Sequence, residues 1–479
     1  MKIKKKYILF TILILIFLLI LSPRLDNPYP THIDEWHHIT ESIKLDTQSP
    51  SGISAAKAGF HYILKFLDSF TNLILIYKFL PAIWAVIAAL VLFQITKNQT
   101  KHLKHSFLIA ITTIIFFASI KSNANIAGLW FFTPLTFSIP FIYLYIHLFN
   151  QGIKQQNKKL IIYSLAIMLI LIPIHSISVL FSIPIIAIYL LFNLSYLKKE
   201  YKFFLSFLLI PILGILFYTQ IMNQSVAAAI PDIISKLQFK HGFGVLEANN
   251  SPLELYSAIG YFLAILGIIY IITNKENLKK YLIYVIWPIT LIVSILIFKQ
   301  TGISYLSPYQ RNLYYLAISL PFLSALGLYY LITKIKQTNI SLQTKKLVII
   351  ITILAILFVT FQSYHYLPEN MQLYENINKD NYEALQFLKT QPIQPNTKVI
   401  APPLIATTIF PITNHQPLAT TFFYGNSKIL YQFLLSTDCN VKNEMIKEYN
   451  ISYILYDQPI NCSWEIIYNK NNNIIYKTG

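Results

Sequence analysis

The chain has 479 residues, 55% of them hydrophobic and 12% charged, with a mean hydropathy of +0.52 and a formal charge of +18. Such hydropathy excludes an ordinary soluble domain. Repeated apolar runs of about 15 to 22 residues, near the span length of a bilayer, point to a multi-pass membrane protein. The positive charge does not point to nucleic acid, because it is spread in short clusters between the apolar runs and forms no basic domain with interleaved aromatics.

The first run follows a basic start, Met1 to Lys6, and reads as a retained helix, since Ser22-Pro23-Arg24 offers no small-x-small cleavage site. Further basic clusters stand at Lys97/Lys101/Lys104, Lys154/Lys158/Lys159, Lys198/Lys199/Lys202, Lys275/Lys279/Lys280 and Lys334/Lys336/Lys345/Lys346. Every second loop is therefore basic, which is the positive-inside pattern. With those loops cytoplasmic, eleven spans are expected, at 7–22, 72–96, 106–120, 131–149, 160–174, 177–194, 203–222, 253–272, 281–298, 312–332 and 346–362. The N-terminus is then cytoplasmic and the C-terminal region extracytoplasmic, in the cell (plasma) membrane.

The first outer loop, about 23–71, is long and carries His32-Ile33-Asp34-Glu35-Trp36-His37-His38. Charged groups beside a membrane span are costly to keep there, so this cluster is the leading candidate for a functional site. Behind it, apolar residues at 60, 63, 64 and 67 within Gly59–Asp68 suit an amphipathic helix lying in the interface. Trp36, Trp130, Phe131 and Phe132 suit an aromatic belt. The second outer segment runs from Lys121 to Trp130, and the third is a turn at Pro173–Ser176 that includes His175.

After Phe361 the composition becomes polar and the apolar runs shorten to strand length. Asp380 to Glu383 reads as a capping box. Lys398–Ala401 and Ile451–Tyr456 read as buried strands, Asn440–Tyr449 as a helix, and Ser463–Tyr468 and Ile474–Tyr476 as further strands. A small α/β domain over 363–479 is expected beyond a membrane domain over 1–362. It has no Gly-rich phosphate loop, so no nucleotide is assigned to it. The two cysteines, Cys439 and Cys462, both fall in it; they are either a disulfide or two free thiols.

Asp34 and Glu35 are adjacent, so their side chains diverge, by about 100° if the segment is helical. Two separate jobs follow: one carboxylate as general base towards a hydroxyl, the other binding substrate, a cation or a nearby Arg or Lys. With His37 and His38, Glu35 also makes a candidate divalent-metal set, although no second acidic loop accompanies it. Arg311 is the one arginine besides Arg24, and its planar fork suits a phosphate. Lys121, on the outer side, is a second cation for the same anion. His61, His175 and Tyr309 stand near outer span ends as further substrate-binding candidates.

An Asp-Glu pair in the first outer loop resembles the C-type (GT-C) membrane glycosyltransferases: protein O-mannosyltransferases, the aminoarabinose transferase of lipid A and, more distantly, the catalytic oligosaccharyltransferase subunit. The residues that carry the resemblance are Ile33-Asp34-Glu35-Trp36-His37, Gly59-Phe60-His61 and Tyr309-Gln310-Arg311-Asn312-Leu313-Tyr314-Tyr315. The resemblance implies a GT-C-like α-helical multi-pass fold with a small extracytoplasmic α/β domain. It implies a polyprenyl-phosphate-linked sugar donor, transfer on the outer face with inversion, Asp34 as base, Glu35 in support, and Arg311 or Lys121 on the phosphate. The acceptor is a glycan, a lipid or a protein. The chain lacks a Trp-Trp-Asp in its C-terminal region and an Asp-x-Asp in its second outer loop. That counts against asparagine as acceptor and against an obligatory metal cofactor. The competing readings are a lipid-linked glycan transporter or flippase and an outer-leaflet polysaccharide polymerase or ligase. A transporter would put its charges in broken helices at the midplane, whereas here they gather at one face.

Overall fold

The computed structural model describes residues 5–25, 27–46, 58–121, 128–207, 209–240, 251–338, 341–365, 375–420 and 427–478. In chain order, helix α1 is Lys5–Leu21, α2 Ile33–Lys44, α3 Gly59–Asp68, α4 Leu80–Gln99, α5 Ser106–Ala118, α6 Pro134–Lys154 and α7 Lys158–His175. Shorter helices occupy 177–236 and lead to strand β1, Gln238–Lys240. Then come α8 Ala258–Ile272, α9 Lys275–Thr301, β2 Ile303–Tyr305, α10 Tyr309–Gln337 and α11 Leu342–His365. The C-terminal part holds α12 Lys379–Lys389, β3 Lys398–Ile400, α13 Pro403–Thr413, β4 Gln416–Pro417, α14 Ser427–Leu435, α15 Cys439–Tyr449, β5 Ile451–Tyr456, β6 Glu465–Lys470 and β7 Asn473–Lys477.

Each predicted apolar stretch carries helix. Six, among the described residues, are long and apolar enough to cross a membrane: Lys5–Arg24, α4, α7, Tyr201–Met222, α9 and α10. These mark a membrane protein. The second stretch was expected to begin at 72, but its helix starts at Leu80. The Asn72 side chain accepts the amides of Ile74 and Leu75 at 3.0 and 3.4 Å, capping a separate turn. Tyr77 is then turned fully inside, and Pro81 sits in the first turn of the new helix, where its missing N–H costs nothing.

The chain gathers into two compact units. One contains residues 1–21, 50–60 and 80–367; the other contains 22–49, 61–79 and 368–479. The first outer loop, expected within a membrane domain, thus groups in large part with the C-terminal residues.

In the membrane unit, α8 and α10 pack backbone to backbone. A Cβ on Gly267 would collide with the Leu323 carbonyl, and one on Gly327 with the Leu263 carbonyl. Small residues permit such contact between apolar helices, which otherwise have little reason to associate in lipid. Gly327→Leu is therefore expected to separate the two helices and cost about 1–3 kcal/mol, as overpacking of a tight core does. The measurement is the thermal midpoint of the detergent-solubilised protein, and an unchanged midpoint would refute the contact. Trp130, Phe131 and Phe132 are buried, and Phe132 meets Trp84 and Phe60 with ring centroids 5.9 and 5.6 Å apart. They pack inside the protein and do not form the expected lipid-facing belt.

The second unit is built on a five-stranded sheet of order β4-β3-β5-β7-β6. Strand β3 runs parallel to β4 and β5, and β5/β7 and β7/β6 are antiparallel. Its core includes Ile400, Leu430, Phe433, Ile454, Ile474 and Tyr476. Asparagine supplies the left-handed backbone that glycine usually gives: Asn414 and Asn450 end α13 and α15, and Asn471-Asn472 turn the β6–β7 hairpin, all at positive φ. The cap of α12 is Asn378, whose side chain accepts the Asn381 amide at 2.8 Å. The box expected at Asp380–Glu383 is therefore shifted, since Asn378 and Asp380 are both good caps and the helix began at the earlier one. Cys439 and Cys462 form a disulfide, their Cα atoms 5.6 Å apart.

Candidate active site

Helix α2 starts one residue before Asp34, so Asp34 and Glu35 share its first turn and point in different directions. Glu35 is fully buried. Its Oε1 accepts from Arg24 Nη2 at 2.7 Å, and its Oε2 accepts the backbone N–H groups of Thr31 at 3.0 Å and His32 at 3.3 Å. Arg24 is buried too. Trp36 is also buried inside the protein, its indole N–H donating to the Pro30 carbonyl at 2.8 Å. Tyr77 lies beside this pair; burial first, and then the Glu35 charge, push its phenol well above the ordinary range. Glu35 thus anchors the entry to α2 and is the carboxylate that binds a nearby arginine.

Asp34 keeps nearly half of its side chain exposed. His32 caps the helix, its Nδ1 accepting the Asp34 amide at 3.1 Å. The Asp34 carboxylate lies 3.7 Å from that Nδ1. Three further histidines gather along α2 and α3. The His37 and His38 rings are 5.4 Å apart, and His38 Nδ1 meets His61 Nε2 at 3.0 Å. Next to them a cleft of about 390 Å³ is lined by Ile33, His37, Glu41 and Lys44 from α2, with Phe410 and Gln416 opposite. Lys44 pairs with Glu41 at 3.0 Å and lies 5.7 Å above the Phe410 ring.

Burial lowers the pKa of His61 to about 4, helped by the charge of His37 and opposed by Glu41. Burial lowers that of His37 as well, against the pull of Glu41 and Asp34 and with the help of Lys44. The sign follows from linkage: between about 6.5 and about 4 the unfolded His61 binds a proton that the folded one refuses. Stability is therefore full above the unfolded value and falls as the pH drops towards 4. The thermal midpoint is expected to decline over that window, and His61→Gln to flatten the decline. A pH-independent midpoint would contradict this.

The metal set of His37, His38 and Glu35 does not fit. Glu35 is committed to Arg24 inside the protein, His38 to His61, and no group of three His, Cys, Asp or Glu side chains is gathered to hold a metal ion among the described residues.

The other candidates belong to the membrane unit. His175 Nδ1 lies 2.6 Å from Ser178 Oγ, which lies 3.0 Å from the Tyr315 hydroxyl. Tyr315 stacks on Phe181 at 3.8 Å, and it follows Arg311 by four residues, on the same face of α10. Arg311 lies in coulombic range of both His175 and Tyr315. Tyr309 is buried, stacked on Phe298 at 4.4 Å with Lys299 4.9 Å from its ring centroid. Lys121 donates its backbone N–H to Leu255 at 2.8 Å, and residues 122–127 of its segment lie outside the described residues. Sequence reasoning passed over Gln310. It is fully buried, and neither side-chain atom finds a hydrogen-bond partner among the described residues. A buried amide left so is costly. Its signal was a polar residue between Tyr309 and Arg311 at the start of a long apolar helix.

No family model matches the chain, and no curated protein matches its sequence. Solved structures do. The oligosaccharyltransferase of Archaeoglobus fulgidus in the apo form is 13% identical, with a TM-score of 0.58, over 94% of this chain and 69% of its own. The archaeal oligosaccharyltransferase AglB from the same organism, in complex with an inhibitory peptide and a dolichol-phosphate, is 12% identical with a TM-score of 0.56 over the same shares, 94% and 69%. ArnT from Cupriavidus metallidurans bound to undecaprenyl phosphate is 11% identical, with a TM-score of 0.55, over 100% of this chain and 99% of its own. At these identities the likeness shows the fold, and that fold is the GT-C-like one the Asp-Glu loop resembled.

Proposed function

We propose that the chain is an inverting membrane glycosyltransferase that moves a sugar from a polyprenyl-phosphate-linked donor to an acceptor hydroxyl on the outer face of the membrane. One observation carries this reading: of two adjacent carboxylates, Glu35 is locked to Arg24 while Asp34 stays half exposed at the start of α2. Asp34 takes the proton of the acceptor hydroxyl as its oxygen bonds to the anomeric carbon. The bond from that carbon to the phosphate oxygen breaks, and the polyprenyl phosphate leaves with the electron pair. Arg311 is assigned to the growing negative charge on the phosphate, with Lys121, Tyr309 and His175 as further substrate contacts. The cleft along α2 is assigned to the acceptor. The fold shared with structures that hold dolichol-phosphate and undecaprenyl phosphate supports a donor of this class.

The eleven-span reading, with a cytoplasmic N-terminus, belongs to the same proposal. The Cys439–Cys462 disulfide supports an outer position for the C-terminal residues, because such bonds persist in oxidising compartments. The test is a set of synthetic polyprenyl-phosphate sugars offered to the purified full chain. Release of polyprenyl phosphate from at least one is expected; release from none of them overturns the proposal.

A further inference from the structure

We propose that the chain has a binding site for an anionic phospholipid at the end of the membrane unit where α1 begins, α4 ends and α5 begins. A cleft of about 590 Å³ opens there, lined by Lys5, Lys97, Lys101, Lys104 and His105 together with Ile8, Phe107 and Leu108. All four lysines are exposed, and none makes an ion pair among the described residues. Glu276, the carboxylate that acts on neighbouring His102, lies 3.9 Å from Lys280 instead. Four ammonium groups around one concavity repel one another, and a phosphate between them removes that cost. The N-terminus of α5, thirteen residues long, adds its positive dipole end at Ser106.

The apolar half of the cleft decides between a lipid and a soluble anion. Leu108 is 56% exposed on the side of α5. Phe107 carries Lys5 5.6 Å from its ring centroid, and Ile8 continues the surface along α1. A head group held by the lysines would lay its acyl chains against Ile8, Phe107 and Leu108. Basic pockets between transmembrane helices recognise phosphate head groups in this way. The site is independent of the transfer chemistry.

The test uses the purified full chain in neutral detergent with three additives: phosphatidylglycerol, phosphatidylcholine and inorganic phosphate. Phosphatidylglycerol is expected to raise the thermal midpoint and to be retained in native mass spectrometry. The triple variant Lys97→Gln/Lys101→Gln/Lys104→Gln is expected to bind it roughly a hundredfold more weakly, from the loss of three near-surface cations, with its lipid-free midpoint no lower than the parent's, since the repulsion between the lysines is relieved. A second triple, Lys198→Gln/Lys199→Gln/Lys202→Gln, is expected to keep the effect. Equal stabilisation by phosphatidylcholine, or by inorganic phosphate, overturns the lipid assignment. Equal loss in both triples overturns the cleft and leaves only general surface charge.

Discussion

Asp34→Asn is expected to lower the release of polyprenyl phosphate by about 10²–10⁴-fold, the usual contribution of a positioned general base. The amide keeps the size and the place of the carboxylate but cannot take a proton. Donor affinity is expected to hold, since the role given to Asp34 is towards the acceptor. The thermal midpoint is expected to hold as well, because the side chain is half exposed and substitutions at such places move stability little. Initial rates at saturating donor, with donor binding measured separately, decide the matter. Turnover at the parental rate in a folded Asp34→Asn protein removes Asp34 as the base. A fall in donor affinity alone would move it to a binding role.

The second large effect is on stability. Arg24→Met is expected to cost about 3–5 kcal/mol, the usual penalty for leaving a buried charge without its partner. Arg24 and Glu35 are 1% and 0% exposed and 2.7 Å apart, so solvent cannot replace the lost guanidinium. Glu35→Gln is expected to cost less, because the neutral amide still accepts the Thr31 and His32 amides. The double variant Arg24→Met/Glu35→Gln is expected to recover much of the loss, giving a coupling well above that of an exposed pair. Chemical denaturation of the four proteins closes the cycle. Additive effects would show that the two side chains do not depend on each other.

The two carboxylates illustrate where the sequence was legible. Six of the predicted membrane stretches could be read because an apolar run of bilayer length leaves a nonpolar chain few alternatives; among the described residues they are helices long and apolar enough to cross. The strands at 398–400 and 451–456 were legible for a similar reason, as short runs of β-branched and aromatic residues. The divergence of Asp34 and Glu35 followed from adjacency. Which of the two was buried did not, since that depends on Arg24, eleven residues upstream, and neither position marks the pairing. The metal set failed for the same reason: three ligand-type residues close in sequence were sent by one helical turn to different partners. The aromatic belt was misread because a Trp or Phe beside a polar loop packs equally well into lipid or into protein. Gln310 was passed over because composition cannot show that an amide is buried without a partner. In the region after 375, asparagine sets the turns in a way composition does not reveal: Asn396, Asn414, Asn450, Asn471 and Asn472 all take the left-handed backbone.

The second unit is assembled from distant pieces. Asn27 donates to the Ile377 carbonyl at 3.0 Å, and Tyr29 stacks on Tyr382 at 4.5 Å, across some 350 residues of chain. During synthesis the segment around Asn27 and Tyr29 emerges long before those partners exist. Until residues 368–479 follow, Asn27 lacks its Ile377 acceptor and Tyr29 its stacking partner, although α2 already meets α3 through His38 and His61. Closure of so long a loop is slow, and an exposed apolar segment invites association with other chains meanwhile. Completion of the second unit thus waits on the last quarter of the chain, and a chain stopped after α11 would carry α2 without the partners that the later residues supply.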